Sequence, residues 1–159
     1  MLKVPAPLIS EVGARVMGLD TPDEKMSKSI AVERAGHAVM LLDPPDVVRR
    51  KIARATTDTE PEVRRPVGAG VANLLEIYAA LHAISAAAAV EEFEGQRYSA
   101  LKGAVADSVV DALAPIQARY AELRSDEDGL RRLLADSAAR VRIVADATLR
   151  RVQEAVGLR

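Results

Sequence analysis

The sequence predicts a mainly α-helical fold: a short, partly extended beginning, then about five helices packed as an antiparallel bundle. Three observations predict it. The good helix formers Ala, Leu, Arg and Glu are abundant. Apolar residues recur three and four positions apart over most of the chain beyond residue 44. The first forty or so residues lack that period and hold two short apolar runs instead.

Taken in order, Pro5 and Pro7 mark an extended start. Ala14–Leu19 fits a buried strand end before a turn at Asp20-Thr21-Pro22-Asp23, and Lys25–Ile30 reads as a cationic loop. His37–Leu42 is a second candidate strand. Asp43-Pro44 resembles an N-cap followed by Pro at the first helical position. The helix that follows carries Val48, Ile52 and Ala55 on one face. Residues 56–70 hold Pro61, Pro66, Gly68 and Gly70 and form a long connection. Val71, Leu74, Leu75, Tyr78 and Leu81 then take helical spacing up to a break at Ile84-Ser85. Ala86–Phe93 is a further helix ending at Glu94-Gly95-Gln96. Val105, Val109, Leu113, Ile116, Tyr120 and Leu123 define a long helix that Pro115 should kink. Ser125-Asp126-Glu127-Asp128 caps a last helix with Leu130, Leu134, Ala138, Val141, Ala145, Thr148, Val152 and Ala155 on its stripe. One or two short strands make no stable sheet alone. They pack on the helices, or their sheet lies outside this chain.

Composition narrows the chemistry. The 159 residues suit one domain. One Phe, three Tyr and no Trp leave the core to aliphatic residues. The absence of cysteine excludes disulfides, thiolate metal sites and thiol catalysis. The net charge of -1 gives no overall case for nucleic-acid binding, although local patches can act. No leader pattern and no membrane-length apolar run is visible, so a cytoplasmic protein with no membrane partner is expected.

The segment richest in chemistry is Lys25-Met26-Ser27-Lys28-Ser29. Two lysines three apart, with hydroxyls beside them, suit a mobile loop around phosphates. Lysine is a point charge with three donors on a flexible stem. Positioned cations help most where negative charge grows in a transition state. A solvated basic turn is the plainer reading of the same five residues.

The string matches the KMSKS loop of class I aminoacyl-tRNA synthetases. Val12-Gly13-Ala14-Arg15-Val16-Met17-Gly18-Leu19 before it is similar to the stretch preceding that loop in bacterial tryptophanyl enzymes. Thr57-Asp58-Thr59-Glu60, Asn73-Leu74-Leu75-Glu76-Ile77-Tyr78, Phe93-Glu94-Gly95, Tyr98, Leu101-Lys102 and Pro115-Ile116-Gln117-Ala118-Arg119-Tyr120 follow in the family's order. The chain is identified as resembling the C-terminal portion of the bacterial-type tryptophanyl-tRNA synthetase family. That resemblance implies the end of a Rossmann-type catalytic domain over residues 1–43, and a helical domain serving the tRNA anticodon region over residues 44–159.

It further implies ATP-dependent activation of tryptophan and transfer to tRNA(Trp). Lys25 and Lys28 would stabilise the triphosphate and leaving pyrophosphate. Met26, Ser27 and Ser29 would complete the ATP contact, with Val16 near the adenine through its backbone. Magnesium would be bound through the phosphates, with no protein metal site. The partners implied are ATP, tRNA(Trp), a second subunit, and tryptophan once the missing N-terminal half is supplied. The family's His-x-Gly-His motif is absent here, so the chain alone is expected to be inactive. Asp23 and Glu24 stand where relatives often carry a basic residue, and Ile30 replaces a common acidic one. The alternative is a non-catalytic helical tRNA-binding module or truncated paralogue. Residues 129–159 permit it, with seven Arg against Asp136, Asp146 and Glu154, a net +4, although a solvated helix face is the plainer reading. His37 and His82 are isolated and read as ordinary packing or partly exposed residues, and Tyr78 and Tyr120 as core.

Overall fold

A computed structural model describes residues 3–10 and 12–158. The chain divides into two compact units: Ile9–Gln117, and Met1–Leu8 with Ala118–Arg159. Among the described residues six helices follow in order: α1 Lys28–Glu33, α2 Pro45–Ala53, α3 Ala69–His82, α4 Ala86–Phe93, α5 Tyr98–Ser125 and α6 Glu127–Ala155. Mainly helical character is therefore the finding, with one more helix than periodicity indicates. The extra one is α1, inside the segment read as a loop. It rests on local bonds, Ala31 N–H to Ser27 O at 3.1 Å and Arg34 N–H to Ile30 O at 2.8 Å. With no buried residue, it leaves no apolar stripe to detect.

Neither candidate strand forms. Among the described residues the only β pairings are two isolated antiparallel bridges, Met17 with Lys25 and Glu62 with Arg97. Ala14–Leu19 contributes one bridge, and His37–Leu42 ends in a turn closed by Asp43 N–H to Met40 O at 3.0 Å. A strand needs a laterally paired neighbour to persist. The N-cap of α2 is also one residue later than expected: Pro44 caps and Pro45 is the first helical residue. The Asp43 carboxylate instead accepts from Met40 N–H at 2.8 Å and Lys51 Nζ at 2.6 Å.

The first unit holds the aliphatic core. Val48 and Ile52 of α2, Val71, Leu74 and Leu75 of α3, Ala89 and Phe93 of α4, and Leu101 and Val105 of α5 are all buried. Each fully buried aliphatic side chain of this kind contributes about 1.5–3 kcal/mol. α3 and α4 meet at a bend of 112°. Ala83 makes the corner in the left-handed region (φ 55°), and Ser85 Oγ caps α4 by accepting from Ala88 N–H at 3.1 Å. Tyr78 packs edge-on to Phe93 with ring centroids 4.9 Å apart.

The connection from α2 to α3 is folded onto this core. Val63, set among charged residues, is fully buried, and its backbone exchanges bonds with Gln96 O and Gly95 N–H, both at 2.9 Å. Gly70 lets the start of α3 approach the connection, since a Cβ there would lie 2.1 Å from Thr56 O. Lys102 reaches back to Ala53 O at 3.2 Å and Ala55 O at 2.8 Å, closing the end of α2. Burial pushes its ammonium pKa down.

The second unit contains the last residues of α5, then α6. Asp126 caps α6 by accepting from Gly129 N–H at 2.8 Å, and Glu127 and Asp128 sit in its first turn. Much of the α6 stripe is open: Leu134, Ala138, Val141 and Ala145 are exposed, and no α6 residue is buried. Tyr120 is 47 % exposed, which corrects its reading as core. α5 is continuous through Pro115. No single helix among the described residues is long and apolar enough to cross a membrane.

Candidate functional site

The residues flanking the lysine motif form a short hairpin-like crossing. Met26 N–H donates to Val16 O at 3.0 Å, and Gly18 N–H to Glu24 O at 2.8 Å, on either side of the Met17–Lys25 bridge. Between them Thr21–Glu24 is a turn, with Glu24 N–H on Thr21 O at 3.1 Å. Val16, Lys25 and Met26 are thus brought together by backbone pairing. Ser27 follows as the extended N-cap of α1 (φ -143°, ψ 134°), and Lys28 and Ser29 open that helix. The Ser27 hydroxyl makes no capping bond. Lys25, Lys28 and Ser29 are exposed, while Met26 is half-buried against the core.

Three long-range attachments hold this crossing to the rest of its unit. The Asn73 carboxamide on α3 accepts from Met17 N–H and donates to Met17 O, both at 2.9 Å. Thr56 binds the far arm, through N–H to Leu19 O at 2.7 Å and Oγ1 to Asp20 O at 2.8 Å. His37 binds it from the third side. Its Nδ1 lies 2.7 Å from Asp20 Oδ1, its Nε2 3.2 Å from Lys25 O, and its carbonyl accepts from Leu19 N–H at 3.0 Å.

Electrostatics around the turn are compensated locally. Arg34 pairs with Glu24, donates to Thr21 Oγ1 at 2.9 Å and lies 3.7 Å from Asp20 Oδ2. Glu24 therefore has a cation of its own beside Lys25. Burial opposes ionisation of Asp20. The His37 hydrogen bond and the Arg34 charge outweigh it, holding the Asp20 carboxyl below the ordinary carboxylate range.

Isolated-residue reasoning passed over Asn73, Thr56 and His37. His37 is fully buried and hydrogen-bonded at both ring nitrogens, which is more than plain packing. Its only signal in the sequence is a polar residue inside the apolar run 37–42. His82 is different: it stacks on Tyr78 at 4.1 Å and lies 2.9 Å from Ser108 Oγ, away from the lysine motif. Among the described residues no group of three or more His, Asp or Glu side chains could hold a metal ion.

Behind the crossing lies an apolar cavity of about 200 Å³, lined by Val16, Leu19, Met26, Ile52, Ile77 and Leu81 among others. Met26 lines it and packs against the core, while Lys25 and Lys28 on either side are exposed.

The family described as tRNA synthetases class I (W and Y) matches residues 1–114. The tryptophan--tRNA ligase of Wolinella succinogenes is 44% identical over 157 residues, covering 98% of this chain and 47% of the relative. The crystal structure of tryptophanyl-tRNA synthetase from Mycoplasma pneumoniae superposes with a TM-score of 0.78 at 26% identity, over 94% of this chain and 45% of that one. The Campylobacter jejuni tryptophanyl-tRNA synthetase, complexed with ADP and tryptophan, shares the fold with a TM-score of 0.64 at 19% identity, over 94% of this chain and 46% of that one. The chain spans about half the length of the curated relatives it matches.

Proposed function

Since the chain belongs to the class I tRNA synthetases of the tryptophan and tyrosine type, we propose that it is the ATP-loop and helical portion of a tryptophan–tRNA ligase. The observation that carries this is the anchored crossing of Val16–Met17 with Lys25–Met26, which presents Lys25 and Lys28 to solvent from a fixed base. In this reading residues 1–43 end the nucleotide-binding domain and residues 44–159 serve the tRNA anticodon region. Lys25 and Lys28 bind the ATP triphosphate and stabilise charge growing on the leaving pyrophosphate, which raises rate and not only affinity. Met26, Ser27 and Ser29 complete that contact. The Val16 backbone faces the adenine, with its carbonyl already sharing the Met26 N–H. Magnesium would be held through the phosphates and keep most of its water. When bound it supplies charge neutralisation at the phosphates.

The lysine loop stabilises a transition state only when tryptophan and the opposite face of ATP are held against it. The test is tryptophan-dependent ATP–pyrophosphate exchange by the chain alone, and by the chain fused after the N-terminal half of the Wolinella succinogenes ligase. Exchange by the fusion alone is expected. Exchange by the chain alone overturns the requirement for the other half, and exchange by neither overturns the ligase reading. A second reading, a tRNA-binding module without chemistry, is favoured by the exposed Arg132, Arg140, Arg142 and Arg150 of α6. It predicts tRNA affinity that falls steeply with salt and is indifferent to Lys25 and Lys28.

A further inference from the structure

We infer that His37 is a positioning residue for Lys25, fixing the lysine's main chain at the base of the loop. The inference rests on the ligase reading for its catalytic consequence, but its structural content stands alone.

His37 is the most enclosed polar side chain near the motif, with 0 % exposure. It reaches two points that lie five residues apart on the same turn. Nδ1 meets Asp20 Oδ1 at 2.7 Å where the turn begins, and Nε2 meets Lys25 O at 3.2 Å where it ends. The Lys25 carbonyl and the Asp20 carboxylate both only accept, so the two contacts are both hydrogen bonds when each ring nitrogen carries a hydrogen. The ring thus spans the mouth of the turn, while the backbone pairs Gly18–Glu24 and Met26–Val16 close its body. Its own position is fixed independently. His37 O accepts from Leu19 N–H, and His37 N–H donates to Arg34 O at 2.8 Å. Gly18 is the floor: a Cβ there would lie 2.2 Å from His37 Cε1 and 2.5 Å from Nδ1, so the ring occupies space that only glycine leaves open.

This arrangement exceeds what filling a core requires. An aliphatic residue would occupy the same volume without touching Lys25 O. The ring's contact is to the main chain of the lysine proposed to meet the pyrophosphate. A small displacement of that Cα is amplified along a four-carbon side chain. Mispositioning by about 1 Å can cost on the order of 100-fold in rate.

Two substitutions separate positioning from packing. His37→Leu fills the space and donates nothing. His37→Gln carries an amide nitrogen that can stand in the Nε2 place and donate to Lys25 O. Amide hydrogen exchange on the chain itself is the first readout. His37→Leu is expected to speed exchange at Gly18 and Met26 by roughly 5- to 100-fold, with α3 amides still protected, and His37→Gln to restore most of the protection. The second readout is pyrophosphate exchange in the fusion with the Wolinella succinogenes half. There His37→Leu lowers kcat by about 10- to 100-fold at unchanged KM for tryptophan, and His37→Gln recovers it. Should His37→Leu lose protection across α3, His37→Asn replaces it, because its shorter amide reaches Asp20 but not Lys25 O. Equal behaviour of the Gln variant and the non-donating variant in both readouts overturns the proposal. An inactive wild-type fusion overturns the ligase reading instead, and hydrogen exchange still decides whether His37 holds Lys25.

Discussion

The Asn73 carboxamide grips both backbone groups of Met17, accepting from its N–H and donating to its carbonyl at 2.9 Å each. The two residues are 56 positions apart, and the pair joins α3 to the lysine crossing. Asn73 is 4 % exposed, so neither bond is readily replaced by water. Asn73→Asp keeps the acceptor and loses the donor, setting a carboxylate against a carbonyl. It is expected to cost about 1–3 kcal/mol. Urea unfolding of the purified chain measures this. Loss of protection at the Met17 amide before that of α3 would locate the effect at the crossing. An unchanged urea midpoint would refute it.

Asp20 gives the same region an acid-sensitive element. Its folded-state pKa lies below the ordinary carboxylate value, burial being outweighed by His37 and Arg34. A depressed carboxyl contributes stability that is present above its unfolded value of about 3.9 and is lost as pH falls through the lower folded value. Asp20→Asn should therefore be less stable than wild type at pH 7, by up to about 1 kcal/mol given the partial exposure of the pair. The difference should shrink toward zero in acid below the folded pKa. Urea midpoints under the two conditions check the sign, and a gap that persists in acid would contradict it.

Much of this was legible in the sequence, and the exceptions have physical reasons. Helices α2 to α5 bury stripes such as Val48–Ile52 and Val71–Leu74–Leu75–Tyr78, and period exposes such stripes directly. The lysine motif is contiguous, so its five residues are visible as a string. Helix α1 buries nothing and leaves no period. The supposed strands at 14–19 and 37–42 are apolar, but strand formation depends on a lateral partner that composition does not reveal. Asn73, Thr56 and His37 act through contacts 12 to 56 residues away. Tyr120 lies on a periodic stripe and is still exposed, because periodicity marks a face and not what covers it.

Gly18→Ala tests the floor beneath His37. The new methyl would stand 2.2 Å from the ring, which is itself held on two sides. The ring cannot retreat without breaking a bond, so a cost of about 1–3 kcal/mol is expected. Thermal unfolding measures it. A melting temperature equal to wild type would mean that the ring has room to move.

Tyr78 carries an alkaline counterpart to Asp20. Its hydroxyl donates to Glu92 Oε1 at 2.8 Å. That hydrogen bond, together with burial and the Glu92 charge, raises the phenol pKa. A raised folded value means stability present below the unfolded value of about 10 and lost as pH rises through the folded one. Tyr78→Phe should cost about 1 kcal/mol at pH 7, and the gap to wild type should narrow above about pH 10. Urea midpoints at pH 7 and pH 10.5 decide it. A constant difference would mean that the bond to Glu92 is not coupled to ionisation of the phenol, and the pH account would fail.

Arg34 connects the turn to the proposed chemistry. Its guanidinium pairs with Glu24, immediately before Lys25, and also touches Thr21 and Asp20. With Arg34→Ala, the Glu24 carboxylate is released beside a lysine proposed to bind triphosphate. The local field then favours the anion less. The KM for ATP in pyrophosphate exchange by the fusion should rise by a few-fold with little change in the KM for tryptophan. Both partners are partly exposed, so the effect must be screened, and it should fade as salt rises toward about 1 M, where the Debye length is about 3 Å. Double substitution with Glu24→Gln should restore the ATP value, because it removes the uncompensated charge instead of the cation. If the double variant is as impaired as Arg34→Ala, the role of Arg34 is to shape the turn through Thr21 and Asp20, and the electrostatic account fails.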